Sequence, residues 1–413
     1  MAPGRIGPVA EPRRRARAHG ISFDGTPGPL NAITDVPGVE LGYVTLISGE
    51  GPLRTGAGPV RTGVTAILPA GRGGIGSAVA AGVHAFNANG EMTGAAWLRE
   101  TGSLAMPILI TNTHAVGPCH RGVIDWVVAN RPDLARGWLL PVVAETWDGY
   151  LNDINGSHVT AAHAVAAIDA AAGGPVAEGA VGGGTGMMCY GFKGGSGTAS
   201  RVVRYGPDGY VVAAFVQANF GRRDELRVAG VPVGRLLGDG EGGGADSSSG
   251  VADPAAGTDA SNASSGMGRM GGWDGDWSAP PGAGSAIVVL ATDAPLLPGQ
   301  CESLARRAPM GIARTGTTGS HFSGDLVIAF STANAGALTS RFPGGEPTAD
   351  DYAALRFIPW GWMDRFYEAA VQAVEEAVIN VLTTAASLTG RDDHHAAALP
   401  TDRVIELLAN RSG

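Results

Sequence analysis

Cysteine is scarce in this chain: Cys119, Cys189 and Cys301 are the three in 413 residues. Three thiols cannot knit a disulfide framework, and so low a number fits a reducing compartment. The opening residues, MAPGRIGPVAEPRRR, hold no apolar stretch of the kind a secretory signal carries. No uncharged apolar run is long enough to span a bilayer. These absences lead to the expectation of a soluble, cytoplasmic protein without a membrane partner. Positive charge is also in deficit, with 29 Lys and Arg against 38 Asp and Glu, a formal net charge of −9. No Lys/Arg stripe is interleaved with aromatics, which argues against nucleic-acid binding. The one basic run, Arg13, Arg14, Arg15 and Arg17, lies in a Pro-rich start and reads as a solvated arm. What is abundant is glycine, 66 residues without a Gly-X-Y period, so the excess serves tight turns and close backbone approaches. Apolar residues at 44% suffice for a sizeable core.

Along the chain, residues 1–30 read as an arm and order begins near Ile33. The segments 33–46, 64–70, 106–113, 138–146 and 210–220 read as strands. The small-residue stretch 76–90 fits either a short helix or a glycine-broken strand. Helical spacing marks 120–130, ended by Pro132, then 157–172, 365–388 and a short terminal helix. Residues 238–284 are rich in Gly, Ser, Asp and Ala, carry no periodicity and few large apolar groups, and read as a disordered linker. Strand character resumes abruptly at SAIVVLATDAP and again within 314–334. Strands and helices mix without regular β-α alternation and without an internal repeat. This pattern predicts an α+β layered sandwich, a single domain over 31–413 interrupted by the linker.

Several motifs have competing readings. GRGGIG at 71–76 with Glu91 downstream resembles a dinucleotide fingerprint, but no helical stripe follows it, and a glycine turn is the simpler account. VGGGTG at 181–186 lacks the P-loop Lys-Ser/Thr. His114, Cys119 and His120 cluster in THAVGPCH without the recurring spacing of a metal site. His394 and His395 lie in a polar tail with Asp392 and Asp393 and read as solvated. ETWDGYLND at 145–153 crowds Glu145, Trp147, Asp148, Tyr150, Asn152 and Asp153 just past a strand, where functional loops concentrate, although a solvated turn is equally open. Asn219 ends an apolar strand, as an oxyanion donor or as a turn cap. At Gly284-Ser285 the linker gives way to an apolar strand that begins with serine. That suits an N-terminal nucleophile, whose α-amine, with an ordinary pKa near 8, can serve as general base to its own hydroxyl. By pattern alone, an ordinary Gly-Ser strand entry remains the simpler reading.

Five segments taken together change this. NAITDVPGVELGY at 31–43, ETWDGYLND at 145–153, VQANFGRRDEL at 216–226, GSAIVVLATDAPL at 284–296 and SGDLVIAFSTAN at 323–334 resemble the autoprocessing serine aminopeptidases. That family includes β-aminopeptidases and enzymes with L-aminopeptidase and D-amidase/D-esterase activity. The resemblance runs from about Ala32 to the final helix, omitting the arm and the linker. It implies a four-layer α-β-β-α sandwich with the layering of N-terminal-nucleophile hydrolases. It also implies self-cleavage between Gly284 and Ser285 into two chains that stay associated, and a larger oligomer built from such pairs.

In the roles the resemblance implies, Ser285 is the nucleophile. Ser323 and Asp325 orient and polarise the nucleophile or its amine, with Asp325 standing where some members carry Glu. Asn219 and Tyr150 stabilise the oxyanion. Glu145 binds the substrate's free amine, and Trp147, with Phe322 and Trp360, shapes the pocket. Neither a metal nor a cofactor is needed. The expected activity is release of N-terminal amino acids from short peptides, amino-acid amides or esters through an acyl-enzyme on Ser285. The alternatives are acyl transfer of the ornithine acetyltransferase type, which uses Thr as nucleophile, and a non-catalytic small-molecule binding relative.

Overall fold

Two β-sheets lie face to face between two layers of helices in the computed structural model, which describes residues 13–237, 283–340, 342 and 345–410. In chain order the strands are β1 (Glu40–Ser48), β2 (Val60–Leu68), β3 (Val79–Ala85), β4 (Ser103–Leu104), β5 (Ile108–Asn112), β6 (Val142–Thr146), β7 (Met188–Cys189), β8 (Phe192–Lys193), β9 (Gly195–Tyr205), β10 (Asp208–Asn219), β11 (Gly284–Thr292) and β12 (Ser323–Ser331). One sheet has the order β1-β2-β5-β6 and the other β4-β3-β12-β11-β10-β9, while β7 and β8 form a separate small hairpin. The helices are α1 (Ala95–Thr101), α2 (Val116–Asn130), α3 (Ala161–Asp169), α4 (Val233–Leu236), α5 (Pro298–Ala305), α6 (Ala308–Arg314), α7 (Asp364–Thr384) and α8 (Thr401–Ala409). Helices α2 and α3 cover the first sheet, and α5, α6 and α7 cover the second. This is the four-layer α-β-β-α sandwich expected from the sequence.

The layering follows from strand alternation. A strand turns successive side chains to opposite faces, so a sheet covered on both sides needs apolar residues at every position. In β11, Ile287, Val289 and Ala291 enter the core between the sheets, and Val288 and Leu290 pack toward the helices. The same parity carries Ser285 onto the inter-sheet face. In β10 it is Ala213 and Phe215 that face inward, which carries Asn219 to the same face as Ser285.

The structure decides readings that the sequence left open and corrects one strand boundary. The 76–90 stretch resolves as strand β3, antiparallel to β12 and bonded along its length. GRGGIG forms a turn with a 3-10 segment at Arg72–Gly74 and leads into β3 rather than a helix, so the dinucleotide geometry is not built. The strand read over 138–146 starts only at Val142, with Trp138 well exposed. The expected disorder of 238–284 falls outside the described residues except at Ala283 and Gly284, and Gly284 already belongs to β11.

Three arginines of the basic run, Arg13, Arg15 and Arg17, are docked rather than solvated, while Arg14 is exposed. Arg13 donates to the carbonyls of Ala385 at 2.9 Å and Leu399 at 3.0 Å. Arg15 pairs with Glu178 at 2.6 Å and also donates to the Thr198 carbonyl. Arg17 reaches both carboxylate oxygens of Glu376, at 2.8 and 2.9 Å. Glu376 is a hub on α7. It also accepts from Arg201 at 2.7 Å, with both side chains 1% exposed, and from Asn31 at 2.6 Å. The carboxylates that recruit these arginines lie more than 160 residues away in sequence, so composition near the start of the chain could not reveal them.

Removing one partner of a buried ion pair leaves the other charge uncompensated, at a cost of about 3–5 kcal/mol. Glu376→Gln keeps the shape and loses the charge facing Arg17 and Arg201. It is expected to lower stability by about that amount, read as a fall in denaturant midpoint. A midpoint equal to that of the unsubstituted protein would show that the cluster contributes nothing net.

Candidate active site

The expected site residues converge at one end of the sandwich because several strand ends meet there. The last residue of β10, the first two of β11 and the first three of β12 lie side by side, with Asn219 opposite Ser285, Ser285 opposite Gly324 and Ala286 opposite Asp325. The end of β6 approaches from the facing sheet and carries Glu145, Thr146 and then Trp147.

Glycine is required at two of these positions. A Cβ on Gly284 would lie 1.9 Å from the Asn219 carbonyl oxygen, and one on Gly324 would lie 2.4 Å from the Asn89 carbonyl oxygen. Any side chain at 284 or 324 would therefore push apart the strands that hold the serine. This gives the Gly-Ser and Ser-Gly-Asp motifs a steric reason.

Ser285 is nearly enclosed, at 2% exposure. Its Oγ accepts a hydrogen bond from the backbone N–H of Trp147 at 3.1 Å. The Trp147 carbonyl in turn accepts from Asn219 Nδ2 at 2.8 Å. Asn219 Oδ1 accepts from the Met188 N–H at 2.9 Å, which fixes which way the amide faces. One N–H of the Asn219 amide is thus committed to Trp147, and the –NH2 group retains a second donor.

Ser323 and Asp325 form a separate pair on β12. The Ser323 hydroxyl donates to Asp325 Oδ1 at 2.7 Å, and Asn87 Nδ2 donates to Oδ2 at 2.9 Å. Burial raises the Asp325 carboxyl above the ordinary range, with Ser323, Asn87 and the Ala286 N–H opposing that shift. In the uncut chain this pair touches the nucleophile's strand through the Ala286 backbone and makes no hydrogen bond to Ser285 Oγ among the described residues.

Glu145 is 3% exposed. One of its oxygens accepts from the Glu91 N–H at 2.9 Å and the other from the Thr113 hydroxyl. Burial raises its carboxyl, and these two donors oppose the rise. A desolvated carboxylate of this kind favours a cation beside it.

Tyr150 stands in the same loop past β6 as Trp147. Its ring stacks on His394 at 4.5 Å, and its carbonyl faces His394 Nδ1 at 2.8 Å. Its phenol makes no hydrogen bond to Ser285 among the described residues. His394 is therefore held against the site loop rather than solvated. Trp360 lies beside Trp362, which meets Tyr205 at the far end of β9 and β10, away from Ser285. Phe322 is near: its carbonyl accepts from Gly284 N at 3.3 Å and from Asn89 Nδ2 at 3.1 Å. Cys119 packs in the core beneath α2, where burial pushes its thiol up to about 12, so it forms no reactive pair with its neighbouring histidines.

Sequence reasoning missed three participants. They are the Trp147 backbone N–H, Asn87 and Thr113. A backbone donor leaves no mark in residue identity, while Asn87 lies in the 76–90 stretch that fits either a short helix or a strand, and Thr113 at the end of a strand.

A sequence profile described as Peptidase family S58 matches residues 31–396. A "Beta-peptidyl aminopeptidase BapA" from Sphingosinicella microcystinivorans is 48% identical over 386 residues, covering 94% of this chain and 89% of that protein. A protein of the same name from Sphingosinicella xenopeptidilytica is 43% identical over 398 residues, covering 96% of this chain and 91% of that one. Among solved structures, an L-aminopeptidase D-Ala-esterase/amidase from Ochrobactrum anthropi superposes with a TM-score of 0.81 at 42% identity, covering 97% of this chain and 99% of that one. It is described as a prototype for the serine aminopeptidases and a new variant among the Ntn hydrolase fold. The present chain has that fold.

Asp148, next to Trp147, is fully buried, and burial pushes its carboxyl up to about 7, against the hydrogen bonds of Thr62 and Asn152. An unfolded Asp titrates near 3.9, so between the two values the folded chain holds the proton more tightly. The stability this supplies is full below about pH 4 and is lost as pH rises through about 7. Melting temperatures at pH 5 and pH 8 should therefore diverge less in Asp148→Asn than in the unsubstituted protein. An unchanged difference would mean that Asp148 does not titrate in this window.

Proposed function

This chain belongs to peptidase family S58, and from that premise we propose that it is a serine aminopeptidase activated by its own cleavage between Gly284 and Ser285. The observation that carries the residue assignment is Ser285 itself: buried, first in line on a central strand, with its Oγ on the Trp147 N–H and Asn219 across from it.

In the first reaction Ser285 Oγ attacks the Gly284 carbonyl carbon. The tetrahedral adduct collapses with cleavage of the C–N bond, the nitrogen taking the proton, and leaves Gly284 as an ester on Oγ. Water hydrolyses that ester and frees the Ser285 α-amine. The cut separates β10 from β11 in sequence but not in the sheet, because β11 sits between β10 and β12 with backbone bonds on both sides. The two chains are thereby held together. Assembly of such pairs into a homo-oligomer belongs to the same proposal.

In the second reaction the α-amine takes the proton from Oγ as Ser285 attacks a substrate's first amide or ester carbonyl. The second donor of Asn219 and the Tyr150 phenol would stabilise the oxyanion, as the resemblance implies, while the Trp147 N–H holds Oγ. The amine proton passes to the leaving group, an acyl-enzyme forms, and water releases the amino acid. Ser323 and Asp325 flank the strand on which the new α-amine appears and would hold it by hydrogen bonding to its charged form. Glu145 would pair with the substrate's free ammonium, giving a preference for unblocked N-termini. The printed name of the two Sphingosinicella relatives makes β-amino-acid peptides and amides the first substrates to try.

Ser285→Ala is expected to remain one chain on a denaturing gel. Its turnover of an amino-acid p-nitroanilide should fall by at least about 10⁴-fold with the melting temperature kept within a few degrees. A cleaved, active Ser285→Ala would sink the proposal.

A further inference from the structure

Lys193 is fully buried, and its ammonium faces backbone carbonyls instead of a carboxylate. Nζ donates to the carbonyls of Met187 at 2.8 Å and Gly194 at 2.8 Å, with the Gly184 carbonyl at 3.5 Å. Enclosing an ammonium without a counter-ion costs several kcal/mol, far more than an apolar side chain of similar volume would. Burial accordingly pulls Lys193 down to about 7. The surrounding backbone has bonds of its own. The Lys193 N–H donates to Ala397, the Gly194 N–H to Met187, and β7 pairs with β8 through Met188 and Lys193. The hairpin therefore has support that is independent of the charge.

Of the carbonyls it holds, that of Met187, which also accepts from the Gly194 N–H, leads to the site. The carbonyl of Met187 and the N–H of Met188 belong to the same planar group and point in opposite directions. Lys193 holds the carbonyl end, and the N–H end bonds Asn219 Oδ1 at 2.9 Å. A cation on the carbonyl also polarises the peptide and strengthens its N–H as a donor. From Asn219 the path continues through Nδ2 to the Trp147 carbonyl, and Trp147 in turn donates its N–H to Ser285 Oγ. If that peptide swung away, the Asn219 amide would lose the bond that sets its orientation and could present its oxygen to the nucleophile.

We propose that Lys193 is a positioning residue for acyl transfer: its ammonium clamps the Met187–Met188 peptide, and through it turns the Asn219 amide so that an N–H faces the developing oxyanion. This rests on the assignment of Asn219 as an oxyanion donor made above.

The test is a double-mutant cycle in the full chain. Wild type, Lys193→Met, Asn219→Ala and the double variant are assayed for kcat and KM on an amino-acid p-nitroanilide, with rates normalised to the cleaved fraction measured by mass. Lys193→Met is expected to lower kcat by about 10-fold or more with KM within about 2-fold, and to change kcat by less than about 2-fold once Asn219 is Ala. Lys193→Gln, which keeps two N–H donors, is expected to recover part of kcat, and it replaces Lys193→Met in the cycle should the apolar variant not fold. Equal fractional losses of kcat in both backgrounds would overturn the proposal, because Lys193 would then act independently of Asn219. So would a loss of melting temperature with kcat intact in the folded, cleaved fraction, which is the signature of a purely structural lysine. A single Asn219→Ala variant with wild-type kcat would overturn the oxyanion assignment itself, and that result is read from a different corner of the cycle.

Discussion

Two hydrogen bonds made by the backbone of Trp147 tie the facing sheets together at the site, and the rest of the arrangement depends on them. Its N–H goes to Ser285 Oγ and its carbonyl takes Asn219 Nδ2, so one residue just past β6 spans the gap to β10 and β11. Sheets in a sandwich are otherwise joined by apolar packing, which is strong but indifferent to small sliding motions. A pair of directional bonds at the open end removes that freedom where an atom must be placed to a fraction of an ångström. The Gly284 and Gly324 approaches serve the same end, since each lets a backbone come closer than any side chain would allow.

Around this link the polar groups are arranged by need. Glu145 and Asp325 are both raised by burial, and each keeps donors that favour its charged form. Both stand near the start of β12, where Gly90 packs against Glu145 and against Gly324. Glu145 lies toward the end of β6 and the Glu91 loop, and Asp325 on β12. In the proposed reaction one carboxylate meets the substrate's ammonium and the other the ammonium that self-cleavage creates. A serine protease with a separate histidine base needs neither. A nucleophile that supplies its own amine, acting on substrates with a free amine, makes use of both.

Much of this was legible in the amino-acid order. Apolar runs predicted the central strands, and the five segments taken together, more than the abrupt start of SAIVVLAT alone, pointed to Ser285. The crowding of ETWDGYLND marked the loop that faces it. Other parts were not legible, for physical reasons. The Arg13–Arg17 run looked solvated because its partners, Glu178 and Glu376, are contributed by a distant loop and by α7. Trp147 drew notice for its ring, whereas its backbone makes the bonds, and any residue type would supply the same N–H and carbonyl. His394 read as solvated, yet its ring stacks on Tyr150, 244 residues earlier in the chain. Lys193 in FKGG drew no notice, because nothing local announces that carbonyls will close around it.

The central claim is that the peptide bond before Ser285 is cut by the protein itself and that the freed serine does the chemistry. Intact-mass measurement of the purified wild-type protein under denaturing conditions tests it most directly. The account predicts two chains, the smaller beginning at Ser285 and carrying the added acyl mass when the protein is first treated with a serine-acylating sulfonyl fluoride. A single unmodified chain of 413 residues in an enzymatically active preparation would contradict it.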